Sequence, residues 1–368
     1  MTKKTLNSTK LRILIFNWRD LAHPLAGGAE VYTHRVAEEW IKMGHEVTLF
    51  CSSVVGKPDF EDLNGLKIIR RGGKHTVYRE AKKYYKNEGR GNFDLVVDEV
   101  NTRPFATPNW VLDAEVIALI HQVCREVWFY ETMLPVAIIG RYILEPFWLR
   151  SYKNVKTITI SESSKKSLED YGLRDVQYIP IGFEKNRNKF GTEKEIDPTL
   201  IFVGRLAGNK RPLDAVKAFK IVKKQFPDSK FWIVGTGRLE SKIRRLKVSG
   251  VEVLGRITQE DRNNRMARAH LLVITSVREG WGMVVTEAAL LGTPSVGYDV
   301  PGIRDSVTSS SGLLCKANPH ALALKVTEIF FAMNGVEFPT PSAEKISEWN
   351  VVAQKILRSS PKLKIEEL

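Results

Sequence analysis

Short apolar runs and longer amphipathic stretches alternate along this chain in two successive rounds. In the first round, runs of strand length stand at residues 13–16, 47–50, 67–70, 93–97, 116–120, 157–160 and 176–179. Between them lie segments of helical period. One runs from the turn Gly27-Gly28-Ala29-Glu30 to Met43 and stops at Gly44; another starts at Ser161. Strand-length runs alternating with helical ones predict a parallel sheet with crossover helices. The stretch 184–198 is charged, holds Gly191 and has no apolar period, so it reads as a linker. The pattern then restarts, with strands at 199–203, 231–234, 251–254, 271–274, 296–297 and 312–314. Helices are expected over 212–226, 239–246, 259–269, 283–291 and 320–333, and a last one over 343–357 that the pattern assigns to neither half.

Length agrees with two rounds: 368 residues are enough for two domains, each with its own core. The boundaries drawn are 1–185 and 186–340. Cys51, Cys124 and Cys315 are odd in number and have no metal-ligand spacing, which points to a reduced, cytoplasmic setting without disulfides. No apolar run reaches the length of a membrane span, and the run 133–140 ends at Arg141. Lys3, Lys4 and Lys10 lead into the first strand rather than a signal peptide. The net charge of +14 divides as +4 in residues 1–185 and +10 in 186–368. Such a surplus attracts nucleic acid, anionic lipid or phosphorylated ligands, and charge alone does not choose among them.

The richest chemistry lies in Arg278-Glu279-Gly280-Trp281-Gly282-Met283-Val284-Val285-Thr286-Glu287. This stretch leaves a buried strand and enters a helix. Gly280 and Gly282 keep side chains off the backbone, and the helix start offers free N–H groups with a positive dipole end. Glu279 falls on the loop and Glu287 in the second helical turn, which suits a long anionic ligand with hydroxyls at both ends. Arg205 and Lys210 follow the first strand of the second half, where ligands of open α/β sheets sit. Gly27-Gly28 permits close approach of an anion to backbone N–H groups, although it is no dinucleotide fingerprint. His121 ends a strand, the place for a donor to a hydroxyl or phosphate; isolated histidines are more often structural, as His45 and His270 look to be. Two segments could meet an acceptor or a membrane. One is basic and aromatic around Lys82, Lys83, Tyr84, Tyr85 and Lys86; the other, 127–149, holds Trp128, Phe147 and Trp148. For most of 127–149, burial of the apolar side within its domain is the expected arrangement.

With those residues in view, nearly the whole chain resembles a family 4 glycosyltransferase of the GT-B type. The matching pieces are Gly27-Gly28-Ala29-Glu30, Gly44-His45-Glu46-Val47, His121-Gln122, the helix start at Ser161 and Ile179-Pro180-Ile181-Gly182. Gly204-Arg205 with Lys210, Gly235-Thr236-Gly237 and the Glu279-to-Glu287 stretch complete them. Trp281 stands where phenylalanine is usual in the family, and Gly208 where a bulkier residue is common. The resemblance implies two facing Rossmann-like α/β domains with a nucleoside-diphosphate sugar, UDP- or GDP-linked, in the cleft between them. It implies that Arg205 and Lys210 hold the diphosphate, Glu287 the ribose and Glu279 the donor sugar. The amides of Trp281, Gly282, Met283 and Val284 would line sugar and phosphate. Gly28 would close over the donor, His121 would contact the transferring sugar, and the last helix would return to the N-terminal domain. The same resemblance implies retention of the donor's configuration; a glycan, lipid-linked or small-molecule acceptor is expected, and the basic, aromatic face around Lys82 to Lys86 suggests a lipid phosphate.

No Asp-x-Asp is present, so Arg205, Lys210 and the helix start are expected to stabilise the departing diphosphate without a metal or cofactor. Location is expected to be cytoplasmic, with peripheral contact at the inner face of a membrane as one option. The competing readings are a nucleotide-sugar epimerase or hydrolase of the same fold and a basic nucleic-acid-binding protein. The latter is disfavoured because the basic helix of the second half, 238–247, is not interleaved with aromatic residues.

Overall fold

In the computed structural model, which describes residues 10–184, 193–332 and 347–360, the apolar runs become two sheets. The first contains β1 (Arg12–Phe16), β2 (Glu46–Cys51), β3 (Phe60–Leu63), β4 (Leu66–Arg70), β5 (Leu95–Glu99), β6 (Glu115–Leu119), β7 (Lys156–Thr159) and β8 (Val176–Tyr178). Their order is β3-β4-β2-β1-β5-β6-β7-β8, parallel throughout except for β3 against β4. The second contains β9 (Thr199–Val203), β10 (Lys230–Val234), β11 (Val251–Gly255), β12 (Leu271–Ile274), β13 (Ser295–Tyr298) and β14 (Leu313–Cys315). Its order is β11-β10-β9-β12-β13-β14, all parallel. Parallel strands are covered by helices on both faces, so they read as continuous apolar runs: Ile13, Leu14, Ile15 and Phe16 are all buried. Both domains are Rossmann-like, as a GT-B fold requires.

The chain divides into two compact units, one of Met1–Val123, Tyr142–Glu184 and Ile346–Leu368, the other of Cys124–Arg141 and Lys185–Lys345. Residues 124–141, placed by the sequence in the first domain, thus pack with the second. The last helix is described over Trp349–Arg358, and the residues from 343 to 346 lie outside the described residues. It packs in the first unit, where the Trp40 indole donates to the Ala353 carbonyl (3.0 Å). Of the stretch 184–198, residues 185–192 also lie outside the described ones. Its described end is fixed to the second unit by Lys194. That ammonium donates to the carbonyls of Ala267, Ala269 and Gly292 at 2.8–3.0 Å.

The two units share a clamp. In each, a histidine just ahead of a strand accepts, through Nδ1, the amide beside the neighbouring strand's start. His45 takes Leu11 N–H (3.2 Å) and His270 takes Thr199 N–H (3.0 Å). Both are structural histidines, and burial lowers both pKa values.

Two features depart from the sequence reading. Strand β3 was not expected, although Asn64-Gly65 marks its hairpin: both residues take positive φ (53° and 91°), the signature of a tight turn that joins antiparallel strands. The segment 127–149 also differs from expectation. It forms a nearly continuous helical run of Leu134–Ile139, the π-helical turn Gly140–Leu144 and Glu145–Leu149. Its small residues Ala137 and Gly140 face inward, while most of its large apolar side chains face out. The reason is steric: a Cβ on Gly140 would come within 2.5 Å of the Trp128 ring, so the tight face admits only small residues.

Candidate active site

In the second unit the chain leaves β9 toward β10 on one side and pairs with β12 on the other, so the strand order reverses between β9 and β12. Crevices at the carboxyl ends of strands beside such a reversal are the usual ligand sites of doubly wound sheets. The loop after β9 is built by glycine contacts. A Cβ on Gly235 would lie 2.0 Å from the Gly204 carbonyl oxygen, and one on Gly237 would lie 2.6 Å from that of Leu206. Those close approaches let Leu206 N–H donate to the Thr236 carbonyl (2.8 Å). Arg205 projects from this loop and is exposed. The next turn, Gly208–Lys210, is tied to β12: Thr275 Oγ1 donates to the carbonyls of Lys210 (2.9 Å) and Arg211 (3.0 Å).

The loop after β12 brings Glu279 to Lys210. Their side chains are ion-paired, and Ser276 Oγ donates to the same carboxylate oxygen (2.6 Å). Glu279 N–H donates to the Pro301 carbonyl (3.1 Å). Gly302, at φ 80°, passes so close that a Cβ there would sit 2.0 Å from the Glu279 carbonyl oxygen. Gly280 is buried. The Trp281 indole turns inward and donates to Thr286 Oγ1 (2.9 Å), so its ring secures the loop. Gly282 takes φ 84° as the N-cap of helix Met283–Leu290, and Met283 and Val284 supply the first amides, which have no intrahelical acceptor. Glu287, one turn on, pairs with Arg262 (3.2 Å) from helix Gln259–Arg268.

The sequence missed a strap over these loops. Glu131 accepts from Asn209 N–H (3.0 Å), and Glu126 accepts from the buried Arg278 guanidinium (2.8 Å). Burial pushes the Glu126 carboxyl up, but the Arg278 bond and charge outweigh it and its pKa is lowered. Gly208 is required beneath the strap, since a Cβ there would meet the Tyr130 carbonyl oxygen at 2.6 Å. Nothing in the spacing of residues 124–141 announces this docking, because its partners, the Asn209 amide and the Arg278 guanidinium, lie more than seventy residues away.

In the first unit the order reverses between β1 and β5. Gly27 N–H donates to Glu30 Oε2 (2.6 Å), and Arg19 pairs with the same carboxylate (2.8 Å). Burial raises the Glu30 pKa and Arg19 opposes it. Gly28 opens helix Gly28–Lys42, which carries Tyr32 and Thr33. Tyr32 meets the His121 ring edge-on at 5.0 Å between centroids. Glu99, fully buried at the end of β5, accepts from Asn17 Nδ2 (2.7 Å), from Thr33 Oγ1 and from His121 Nε2 (3.1 Å). A carboxylate only accepts, so in a neutral imidazole this contact puts the proton on Nε2 and leaves Nδ1 as an acceptor. That Nδ1 is buried and has no hydrogen-bond partner among the described residues. Sequence reasoning did not single out Glu99, because its pairing with His121 needs the register of β5 against β6.

Two family profiles together match residues 26–331. "Glycosyltransferase Family 4" covers residues 26–187, and "Glycosyl transferases group 1" covers 183–331. The chain belongs to the family 4 glycosyltransferases. A relative from Corynebacterium glutamicum is a GDP-mannose-dependent monoacylated alpha-(1-6)-phosphatidylinositol monomannoside mannosyltransferase. It is 28% identical over 39% of this chain and 43% of its own, so the match spans less than half its length. An uncharacterized glycosyltransferase of Methanocaldococcus jannaschii is 23% identical over 91% of this chain and 93% of its own. Among solved structures, sucrose-phosphate synthase from Thermosynechococcus elongatus superposes with a TM-score of 0.73 at 17% identity. That match covers 94% of this chain and 97% of that one, and it speaks to the fold. In this glycosyltransferase, the second unit gathers Lys210, Glu279 and Ser276, with the Arg205 loop and the helix start of Gly282 on adjoining strand ends. Gly27, Gly28 and His121 belong to the first unit.

Proposed function

We propose that this glycosyltransferase moves a sugar from a nucleoside-diphosphate sugar, UDP- or GDP-linked, to a hydroxyl of a glycan, lipid-phosphate-linked or small-molecule acceptor. The single observation that carries the reading is the Lys210–Glu279 pair at the strand ends of β9 and β12, beside Arg205 and the helix start at Gly282. Arg205 and Lys210 bind the diphosphate through charge-assisted bonds. An incoming phosphate competes with Glu279 for Lys210, which frees the Glu279 carboxylate for sugar hydroxyls. Glu287 takes the ribose hydroxyls by exchanging its contact with Arg262. Amides of Trp281, Gly282, Met283 and Val284 line the diphosphate and sugar, and Gly28 and His121 serve the transferring sugar from the first unit.

We infer transfer with retention. The anomeric C–O bond to the diphosphate breaks and a bond to the acceptor oxygen forms on the same face. The acceptor proton passes to a diphosphate oxygen, and Arg205 and Lys210 hold the charge that develops there. Support comes from three buried acids of the first unit, Asp20, Asp98 and Glu99, which are already committed. Asp20 pairs with buried Arg70 (2.9 Å to its Nε), and Asp98 accepts from Thr107 N–H (3.0 Å) and the Tyr152 hydroxyl (2.5 Å). Glu99 is held by Asn17, Thr33 and His121 as described, which leaves none of the three as a ready general base. Proton NMR of the first-formed product tests this: an α-linked product is expected from an α-linked donor, and a β-linked product overturns it. Nucleoside diphosphate released at an equal rate without any acceptor would favour a hydrolase instead.

A further inference from the structure

An open recess of about 150 Å³ lies in the first unit, away from the loops that carry the proposed reaction. Its floor is aromatic: Tyr85 is buried, and its ring meets that of Trp110 edge-on at 5.5 Å between centroids. The Trp110 indole is fixed by donating to the Phe105 carbonyl (3.1 Å). Its rim is cationic. Lys82, Lys86 and Arg90 stand about one turn apart along helix Val77–Tyr84 and the π-helical turn Tyr85–Gly89, and all three are exposed. Like charges at that spacing repel. The acid of the π-helical turn does not relieve them, because Glu88 is paired with Arg71 (3.0 Å). The one acid lining the recess, Asp113, already accepts the Tyr85 hydroxyl (2.9 Å) and Gly91 N–H (2.7 Å). Each of its oxygens keeps a further lone pair for another donor. The recess opens at the amino ends of β5 and β6, since helix Val77–Tyr84 and its π-helical turn lead into β5 and Trp110 to Asp113 lead into β6. His121 follows the other end of β6. A five-residue strand spans about 16 Å, so a ligand here lies away from the groups of this unit assigned to sugar transfer.

We propose that this recess binds a phosphorylated sugar, either free or as one unit of a glycan chain. Lys82, Lys86 and Arg90 together hold the phosphate, the arginine as a fork and the lysines as point charges. The sugar ring lies against the Tyr85 and Trp110 floor and the exposed Leu112. Volume sets the size of the ligand. A space of about 150 Å³ accepts one six-membered ring, too little for the base, ribose and phosphate of a nucleotide together. Asp113 sets the kind of ring, because its remaining lone pairs call for donors that sugar hydroxyls supply and an aromatic ring lacks. Inorganic phosphate alone would leave the aromatic floor and Leu112 in water. The proposal does not rest on the donor assignment, since no residue of the second unit takes part.

Calorimetric titration of the full chain with glucose 6-phosphate, glucose, inorganic phosphate and phenyl phosphate tests it. Glucose 6-phosphate is expected to bind one-to-one and at least about tenfold more tightly than the other three. Lys86→Ala/Arg90→Ala alters only exposed side chains, and is expected to weaken that binding at least about tenfold with melting unchanged. Arg205→Ala is expected to change it less than about threefold, which separates this recess from the proposed donor site. A phosphate-bearing oligosaccharide identifies the source. Tighter binding than glucose 6-phosphate marks a chain-borne unit as the ligand, and weaker binding marks a free sugar phosphate; both support the site. As a second readout on the unmodified protein, the Trp110 indole resonance, located by its absence in Trp110→Phe, is expected to shift with glucose 6-phosphate. No binding at millimolar concentration, equal binding of inorganic or phenyl phosphate, or undiminished binding in the double variant overturns the proposal. So does loss of binding in Arg205→Ala, which would put the ligand at the donor site.

Discussion

The strand ends of the two units carry polar side chains of opposite habit. In the second unit the partners are exchangeable: Lys210 pairs with Glu279, Glu287 with Arg262, and Arg205 is exposed. In the first unit they are fixed. Glu99 is fully buried with three donors, and Asp98 is fully buried and held by Thr107 and Tyr152. A partly exposed ion pair contributes little to stability and can trade a carboxylate for a phosphate at small cost. A buried carboxylate that loses one donor leaves an uncompensated charge, which costs several kcal/mol. The second unit is therefore arranged to accept an anionic ligand, and the first to hold one imidazole in a set orientation.

Substitutions can break this contrast, and the largest effect is expected at Glu279. Glu279→Gln should lower transfer by about a hundredfold while leaving nucleoside-diphosphate affinity nearly unchanged, as for a contact made in the transition state. Steady-state rates and calorimetry separate the two, and equal loss of both would put Glu279 at the nucleotide end. Next is the scaffold beneath it. Gly302→Ala forces a Cβ onto the Glu279 carbonyl at a positive-φ position, and should cost about 2 kcal/mol or more in denaturant unfolding. An unchanged midpoint would mean that the loop relaxes freely and does not fix Glu279.

A smaller effect is expected in the first unit. Glu99→Gln keeps the shape but offers an amide donor to His121, so Nε2 no longer needs the proton. A tenfold or so fall in kcat with nucleotide binding intact is expected, together with a shift of the imidazole nitrogen resonances toward the Nδ1–H tautomer. A fall in kcat with unchanged resonances would make Glu99 merely structural.

The smallest effect is on pH stability, and it should be shared by both units. Burial holds the His45 and His270 pKa values below the ordinary 6.5, so the unfolded chain binds protons more readily than the folded one. Stability should therefore be lost as pH falls below about 6.5. His270→Gln should flatten the second unit's share of that slope in thermal melts, and an identical slope would remove His270 from it.

Periodicity revealed the alternating strands and the two rounds because buried parallel strands admit only apolar residues. The Glu279-to-Glu287 stretch was legible for a similar local reason: a strand, paired glycines and a helix start lie consecutively in the chain. What stayed hidden depended on distant backbone. Gly208 and Gly302 are required by carbonyls of Tyr130 and Glu279, and Glu131 is bound by the amide of Asn209. The outward face of 134–149 was misjudged because an apolar helical stripe shows its period and not its direction. The Asn64-Gly65 hairpin, by contrast, had a local signal that the flanking charged residues obscured.

The central claim is that the loops after β9 and β12 hold a nucleoside diphosphate. Calorimetric titration of UDP and GDP into the unmodified protein, Arg205→Ala and Lys210→Ala tests it most directly. Each lost charge-assisted bond is worth roughly 1.5–3 kcal/mol, so one nucleotide should bind in a one-to-one ratio and weaken at least tenfold in either variant with the fold intact. Equal affinity in all three proteins would contradict the claim.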